Sequence, residues 1–323
     1  MVASSRKRKG ILLNDKLSNN TLSVNRRWYL NRNWQFLLFN VAFVLVFFGP
    51  IRDLVQTSLR SEYDSYIPFI PFITAYLIYE ERQTIFSKKG SSYTAGLLFI
   101  GIGILLLVVG RNREALFDHR DHLALIVFSL VLLWIGGFTL FYGLRCLRTA
   151  VFPLLFLFFS VPIPGAALER IVSILQAGSA EVSYWLIRTA GVPVARDGFV
   201  FHLPKLDIEV APQCSGIRSS LSLVITGVLA AYFFLRTGWA KALLMVSIVP
   251  IAILKNGIRI TVLTILTIYW DKDFLSGDLH RRGGFVFFIL ALLLTGAEIV
   301  LLRRVEGKVS RKSGGREENL DHS

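Results

Sequence analysis

Eight apolar runs, each of roughly bilayer-spanning length, punctuate this chain at about 34–50, 67–79, 94–110, 123–143, 149–164, 217–235, 242–269 and 284–302. A hydrocarbon layer about 30 Å thick takes about 20 residues of helix. Inside it every backbone amide must find its partner within the protein, which favours helices. The expected fold class is therefore an all-α polytopic membrane protein with about eight transmembrane helices. The second and fifth runs are short and carry prolines (Pro68 and Pro71; Pro153, Pro162 and Pro164), so tilted, kinked or partly re-entrant segments are expected there.

Composition matters here through charge. The 323 residues are 53% hydrophobic, yet the formal net charge is +14. In a soluble protein that excess would point to nucleic acid. In a membrane protein it is explained by topology, because lysine and arginine collect in cytoplasmic segments. With the N-terminus inside, Arg6-Lys7-Arg8-Lys9, Arg26-Arg27, Arg82, Lys88, Lys89, Arg145, Arg148, Arg236, Lys241 and the basic tail from Arg303 all fall on one side. The opposite segments are close to neutral. The reading is a multi-pass protein of the cytoplasmic (inner) membrane with both termini cytoplasmic, a lipid bilayer as its surroundings and no nucleic acid as partner. Residues 1–33 and 304–323 read as disordered cytoplasmic tails around a membrane domain over 34–303. The run from Trp34 to Phe48 is followed by nothing like a small-residue cleavage site and is expected to remain as a helix.

Residues 165–213 form an extracytoplasmic cap within that domain. Between 166 and 190, Leu168, Ile171, Val172, Leu175, Val182 and Leu186 recur at helical spacing, which predicts an amphipathic helix lying along the membrane surface. After Gly191-Val192-Pro193 the period changes to two. Val194-Ala195, Phe199 to Leu203 and Leu206 to Val210, separated by Arg196-Asp197-Gly198 and Pro204-Lys205, predict a small β-meander.

The last of those strands leads to Ala211-Pro212-Gln213-Cys214-Ser215-Gly216-Ile217-Arg218. A cysteine at the start of a helix beside cations has surroundings that favour the nucleophilic thiolate. There are two cysteines, and the topology puts Cys146 on the cytoplasmic face and Cys214 on the other, so no disulfide joins them. Alone, Cys214 is either a small buried hydrophobe or a reactive thiol. Arg259 interrupts an apolar helix at a cost of about 2.5–3.5 kcal/mol on insertion scales, which asks for a compensating role. Asn256 and Lys255 share its helix face. Snorkelling or pairing with Glu298 is the structural alternative, and Lys255 fits that alternative better than Arg259. His280, in the short loop before the last run, is a candidate to move protons near neutral pH. His202, in the meander, is a reserve candidate. No cluster of histidine, cysteine and acids converges, so neither a metal nor a cofactor is expected.

Cys214-Ser215-Gly216-Ile217-Arg218, Asn256-Gly257-Ile258-Arg259-Ile260, and His280 followed by the pair Gly283-Gly284 occur in that order. On these residues the chain resembles the exosortase/archaeosortase family of integral-membrane sorting enzymes. The likeness extends to Tyr63–Arg82, similar to the family's Tyr-Ser-His-Gly segment before its second span, and to Phe152–Gly165 with Pro162-Ile163-Pro164-Gly165. Tyr66 stands where relatives often have the histidine. The similarity covers most of residues 60–303.

The resemblance implies a cysteine transpeptidase or endopeptidase acting on C-terminal sorting signals: a recognition motif, a transmembrane helix and a basic tail. On this chain it implies Cys214 as nucleophile forming a thioester, Arg259 stabilising the oxyanion or thiolate, and His280 as general acid/base. Arg218, Asn256, Ser215 and Gly216 would bind substrate or support the site, and an amine or water would release the product. Three rivals remain at this point: a multi-span transporter or channel built on intramembrane basic residues, a lipid-phosphate phosphatase or glycan-processing membrane enzyme, and a non-catalytic component of exopolysaccharide export.

Overall fold

The protein was analysed as a computed structural model, which describes residues 32–61, 63–87, 93–112, 117–204, 206–269 and 284–318. Most of the first basic tail and the last residues of the second lie outside these. Five helices in the described residues are long and apolar enough to cross a bilayer, or seven if each of two bent helix pairs is one span. This confirms the all-α polytopic class. Among the described residues the run at 67–79 forms a shorter apolar helix, Ile67–Glu80. The chain divides into two compact units, one made of residues up to Leu59 plus Ile67–Pro162, the other of Arg60–Tyr66 plus Ile163 onward.

The first unit contains α1 (Arg32–Val46) and α2 (Phe48–Arg60), then α3 (Ile70–Glu80), α4 (Arg82–Ile85), α5 (Tyr93–Asn112), α6 (His119–Tyr142), α7 (Leu144–Thr149) and α8 (Val151–Phe156). Helix α6 is its buried centre. Three glycines seven residues apart, Gly96, Gly103 and Gly110, run down one face of α5. A methyl group added at the first two would come within 2.6 Å of Leu140 and 2.8 Å of Leu133 on α6. Small residues let two membrane helices approach this closely, and dispersion between their backbones replaces a hydrophobic drive that lipid does not supply. Helix α1 joins α6 through aromatic packing around Phe36 and through Trp134 Nε1, which donates to Asn40 Oδ1 at 2.9 Å. After α8 a 3₁₀ turn, Leu157–Ser160, ends the helical path. Pro162 and Pro164 follow, and neither can donate to a continuing helix.

The second unit contains α9 (Gly165–Thr189), β1 (Ala195–Asp197), β2 (Val200–His202), β3 (Asp207–Glu209), a 3₁₀ turn at Pro212–Ser215, α10 (Ile217–Phe234), α11 (Gly238–Tyr269) and α12 (Gly284–Glu318). Helix α12 runs on past residue 303, where the sequence reading started a tail. The amphipathic helix expected over 166–190 is α9, but its buried face meets protein rather than lipid headgroups. Gly178 faces Ile253, and Gly257 faces Val182, so successive turns of α9 lie against successive turns of α11 in the same chain direction. Leu168, Val172 and Leu175 share a core with Ile217, Leu223, Ile248 and Ala252. Helix α9 ends in a Schellman motif. Gly191, at φ 79°, donates its N–H to Arg188 O, and Val192 donates to Ile187 O.

The meander is antiparallel in the order β1-β2-β3, with Arg196 opposite Phe201 and Phe201 opposite Ile208. Gly198, at φ 59°, opens the two-residue turn between β1 and β2. Arg196 and Asp197, expected in that turn, belong instead to β1. Phe201 and Ile208 point into a core with Ala180, Ile187, Ile260 and Cys214, which ties the small sheet to both α9 and α11.

The α9–α11 contact has a direct test. A Cβ at Gly257 would lie 2.5 Å from Val182 Cγ1, so Gly257→Ala is expected to cost about 1–3 kcal/mol. This would be read as a lower unfolding midpoint of the purified protein in detergent, and the added Val182→Ala should recover most of the loss.

Candidate active site

The segment carrying Cys214 is held at both ends before its thiol is considered. Gln176, buried on α9, donates from Nε2 to the carbonyl of Val210 at 2.6 Å, fixing the chain as it leaves β3. Pro212 then opens the 3₁₀ turn, closed by Cys214 N donating to Ala211 O at 2.8 Å. Gly216 has φ 72°, and its own position is crowded, since an added Cβ would lie 2.6 Å from Asn256 Oδ1. Glycine is required here both for the left-handed backbone and for the close approach. The Gly216 carbonyl accepts from Ser220 N at 3.0 Å and from the hydroxyls of Ser219 and Ser220, both at 2.9 Å, which starts α10 tightly against the turn.

Asn256 grips this segment from α11. Its Nδ2 donates to Cys214 O at 2.7 Å and to Ser179 Oγ at 3.0 Å. One fully buried amide therefore joins the cysteine segment, α9 and α11. Gly257 makes this reach possible by letting α11 close on Val182. Ser183 seals the seam, its hydroxyl donating to Ser179 O at 2.6 Å and lying 3.2 Å from Gly257 O. Two buried polar atoms in this neighbourhood, Ser215 Oγ and Asn256 Oδ1, have no hydrogen-bond partner among the described residues.

Cys214 is half-buried against the core of the meander and is not in a disulfide. The Arg259 guanidinium and the Cys214 thiol lie within electrostatic range of each other. Arg259 lies about 30 Å along the axis from the first residue of α11, close to one hydrocarbon thickness. The structure thus brings together Cys214, Ser215, Gly216, Asn256 and Arg259. Arg218 has an exposed side chain on the first turn of α10. His280 lies outside the described residues.

The reserve candidate is corrected. His202 Nδ1 meets Asp207 Oδ1 at 3.0 Å, a cross-strand pair with both side chains largely exposed. Successive side chains of a strand point to opposite faces, so His202 and Asp207 face away from the core that Phe201 and Ile208 share with Cys214. Lys255 is 2% exposed and donates from Nζ to Ser219 Oγ, so it neither snorkels nor pairs with Glu298. Glu298 accepts from Ser247 Oγ at 2.6 Å.

Sequence reasoning missed Gln176 and Ser179, which look like ordinary polar positions of an amphipathic helix. Asp64, 2% exposed, accepts from Ser61 Oγ at 2.9 Å within the short stretch Arg60–Tyr66 of the second unit. Among the described residues no three histidines, cysteines or acids gather in a way that could hold a metal ion.

The family model described as transmembrane exosortase matches residues 55–297 of the chain. No curated protein and no solved structure matches it.

The crowding at Gly216 separates it from an open glycine of similar conformation. Gly191 has φ 79° with nothing within 4 Å of an added Cβ. Gly191→Ala should therefore cost only the left-handed penalty of about 1–2 kcal/mol, and Gly216→Ala should cost more. In unfolding measurements the Gly216→Ala/Asn256→Ala pair should lose less than the sum of the single losses.

Proposed function

Because the chain belongs to the transmembrane exosortase family, we propose that it is a membrane cysteine transpeptidase or endopeptidase that trims C-terminal sorting signals of exported proteins. The observation that carries this reading is the Asn256 clamp. It holds the carbonyl of Cys214 at 2.7 Å while Arg259, one turn further along the same helix, reaches electrostatic range of the thiol. A merely structural cysteine would need neither a fixed backbone nor a guanidinium brought into the span.

In the proposed reaction the Cys214 thiolate attacks the scissile carbonyl carbon, and the carbonyl oxygen becomes a tetrahedral oxyanion. Arg259 donates to that oxygen, where a preorganised donor contributes about 2.7–4 kcal/mol. Collapse of the intermediate breaks the C–N bond and leaves a thioester on Sγ. His280 gives the proton that the departing amine requires and takes one from the incoming nucleophile. That nucleophile is an amine acceptor in transpeptidation or water in hydrolysis, and its attack on the thioester frees Cys214. Gly216 and Ser215 shape the turn that presents the sulfur. Arg218, on the first turn of α10, is suited to hold a backbone or carboxylate group of the substrate.

The substrate class follows from where this chemistry sits. A protein tethered by its own C-terminal helix diffuses in two dimensions and presents its motif at a fixed depth, so the effective concentration is high without strong intrinsic affinity. A recognition motif, a transmembrane helix and a basic tail satisfy this geometry. The arginine and lysine distribution favours both termini in the cytoplasm and the active site on the extracytoplasmic face of the inner membrane.

Co-expression with an exported protein that ends in such a signal tests the reaction. Intact mass measurement should show a trimmed C-terminus with the wild type. Cys214→Ser, Arg259→Ala and His280→Ala should each slow trimming by about a hundredfold or more, with membrane insertion unchanged. Normal trimming by Cys214→Ser overturns the proposal, and normal trimming by either of the others removes that residue from the mechanism.

A further inference from the structure

Lys255 is a buried charge that the proposed reaction leaves unused. It lies one helical turn before Arg259 on the same face of α11, near enough for the two cations to interact. It is 2% exposed. An uncompensated ammonium in a low-dielectric span is costly, yet no aspartate or glutamate among the described residues forms an ion pair with it. Two acids of α12, Glu298 and Glu306, are engaged elsewhere. Glu298 accepts from Ser247, two turns back along α11, and Glu306 accepts the backbone N–H groups of Arg236 and Thr237.

What Lys255 does touch leads back to the cysteine turn. Its Nζ donates to Ser219 Oγ at 2.5 Å, and Ser219 Oγ in turn donates to Gly216 O at 2.9 Å. A hydroxyl has a single proton. With that proton committed to Gly216 O, Ser219 can only accept from Lys255, which suits a cation. Adjacent residues of α11 thus hold two carbonyls of one short turn. Asn256 holds Cys214 O directly, and Lys255 holds Gly216 O through Ser219.

We infer that Lys255 is a positioning residue for Cys214, a buried cation that fixes the Gly216 corner through Ser219. The inference rests on the reading of Cys214 as the nucleophile. Through the Ser219 hydroxyl the ammonium sets the corner where the 3₁₀ turn meets α10, and with it the direction in which the Cys214 side chain is presented.

The reactivity of the sulfur reads this out without a substrate. The full-length protein in detergent is treated with iodoacetamide at one pH, and alkylation of the Cys214 peptide is followed by mass spectrometry, with glutathione as the reference thiol. In this reaction sulfur displaces iodide, forming an S–C bond as the C–I bond breaks. Wild-type Cys214 should react faster than glutathione. Lys255→Met, with similar length and no charge, should slow it by about tenfold or more, and Lys255→Arg should restore it to within about threefold of wild type. Equal rates for wild type and a folded Lys255→Met protein overturn the inference, as does a Lys255→Arg protein as slow as Lys255→Met. If Lys255→Met does not give a monodisperse protein, Ser219→Ala decides, since it removes the bridge and keeps the charge. Slowed alkylation is the expected result, and an unchanged rate overturns the inference. A wild-type rate no faster than glutathione's instead counts against the nucleophile reading itself.

Discussion

The Asn256 side chain donates in two directions, to the carbonyl of Cys214 and to the hydroxyl of Ser179, and much of the second unit is arranged so that it can. An amide in a membrane-level helix cannot turn to water for its partners, so its bonds have to be supplied by neighbouring segments at the right distance. Gly257, the next residue, brings α11 close enough to α9 for Ser179 to be reached. Gly216, left-handed and without a side chain, lets the 3₁₀ turn settle on the amide. Gln176 fixes the stretch just before it. Each of these residues is small or polar, and each serves to hold the cysteine-bearing segment against α9 and α11.

The acids of α12 follow the same logic without the same use. Glu298 and Glu306 both sit on a long apolar helix, and α11 or the chain just before it supplies a partner to each: the Ser247 hydroxyl in one case, the amides leading into α11 in the other. Satisfied in this way, they join helices and need no further explanation. The contrast gives Lys255 its interest. The charge map of the sequence counts Glu298 and Lys255 alike as charges within spans, and only their partners separate the one that joins helices from the one that borders the cysteine turn.

Hydropathy alone was enough to read the helices, because runs near bilayer length have one common outcome. Bilayer length did not distinguish Ile67–Glu80, which forms a helix but a short one. The meander was legible from its period of two and its glycine and proline punctuation, with an error of two residues at Arg196-Asp197. Amphipathic spacing identified α9 but not what it packs on. An apolar stripe at helical period fits a headgroup layer and a neighbouring helix equally well, and the deciding residues, Gly178, Ser179, Val182 and Ser183, are inconspicuous in a stripe of larger side chains. At the site, cysteine and arginine stood out as chemistry. The clamp did not, since a hydrogen bond between Asn256 and a carbonyl 42 positions away has no local signature.

The stretch Arg60–Tyr66 belongs to the second unit although the chain does not return to that unit until Ile163. Tyr63 packs there beside Leu168, Val172 and Ile217. A ribosome therefore delivers this piece long before the residues that receive it, and roughly a hundred residues of other helices are inserted in between. Closing such a long loop has an entropic cost that grows only slowly with its length, so the arrangement is tolerable at equilibrium. Its burden is temporal. Until α9 to α12 emerge, Asp64 and its neighbours lack their final surroundings, which makes the order of insertion, rather than the strength of any one contact, the step at which assembly of the cysteine-bearing half can go astray.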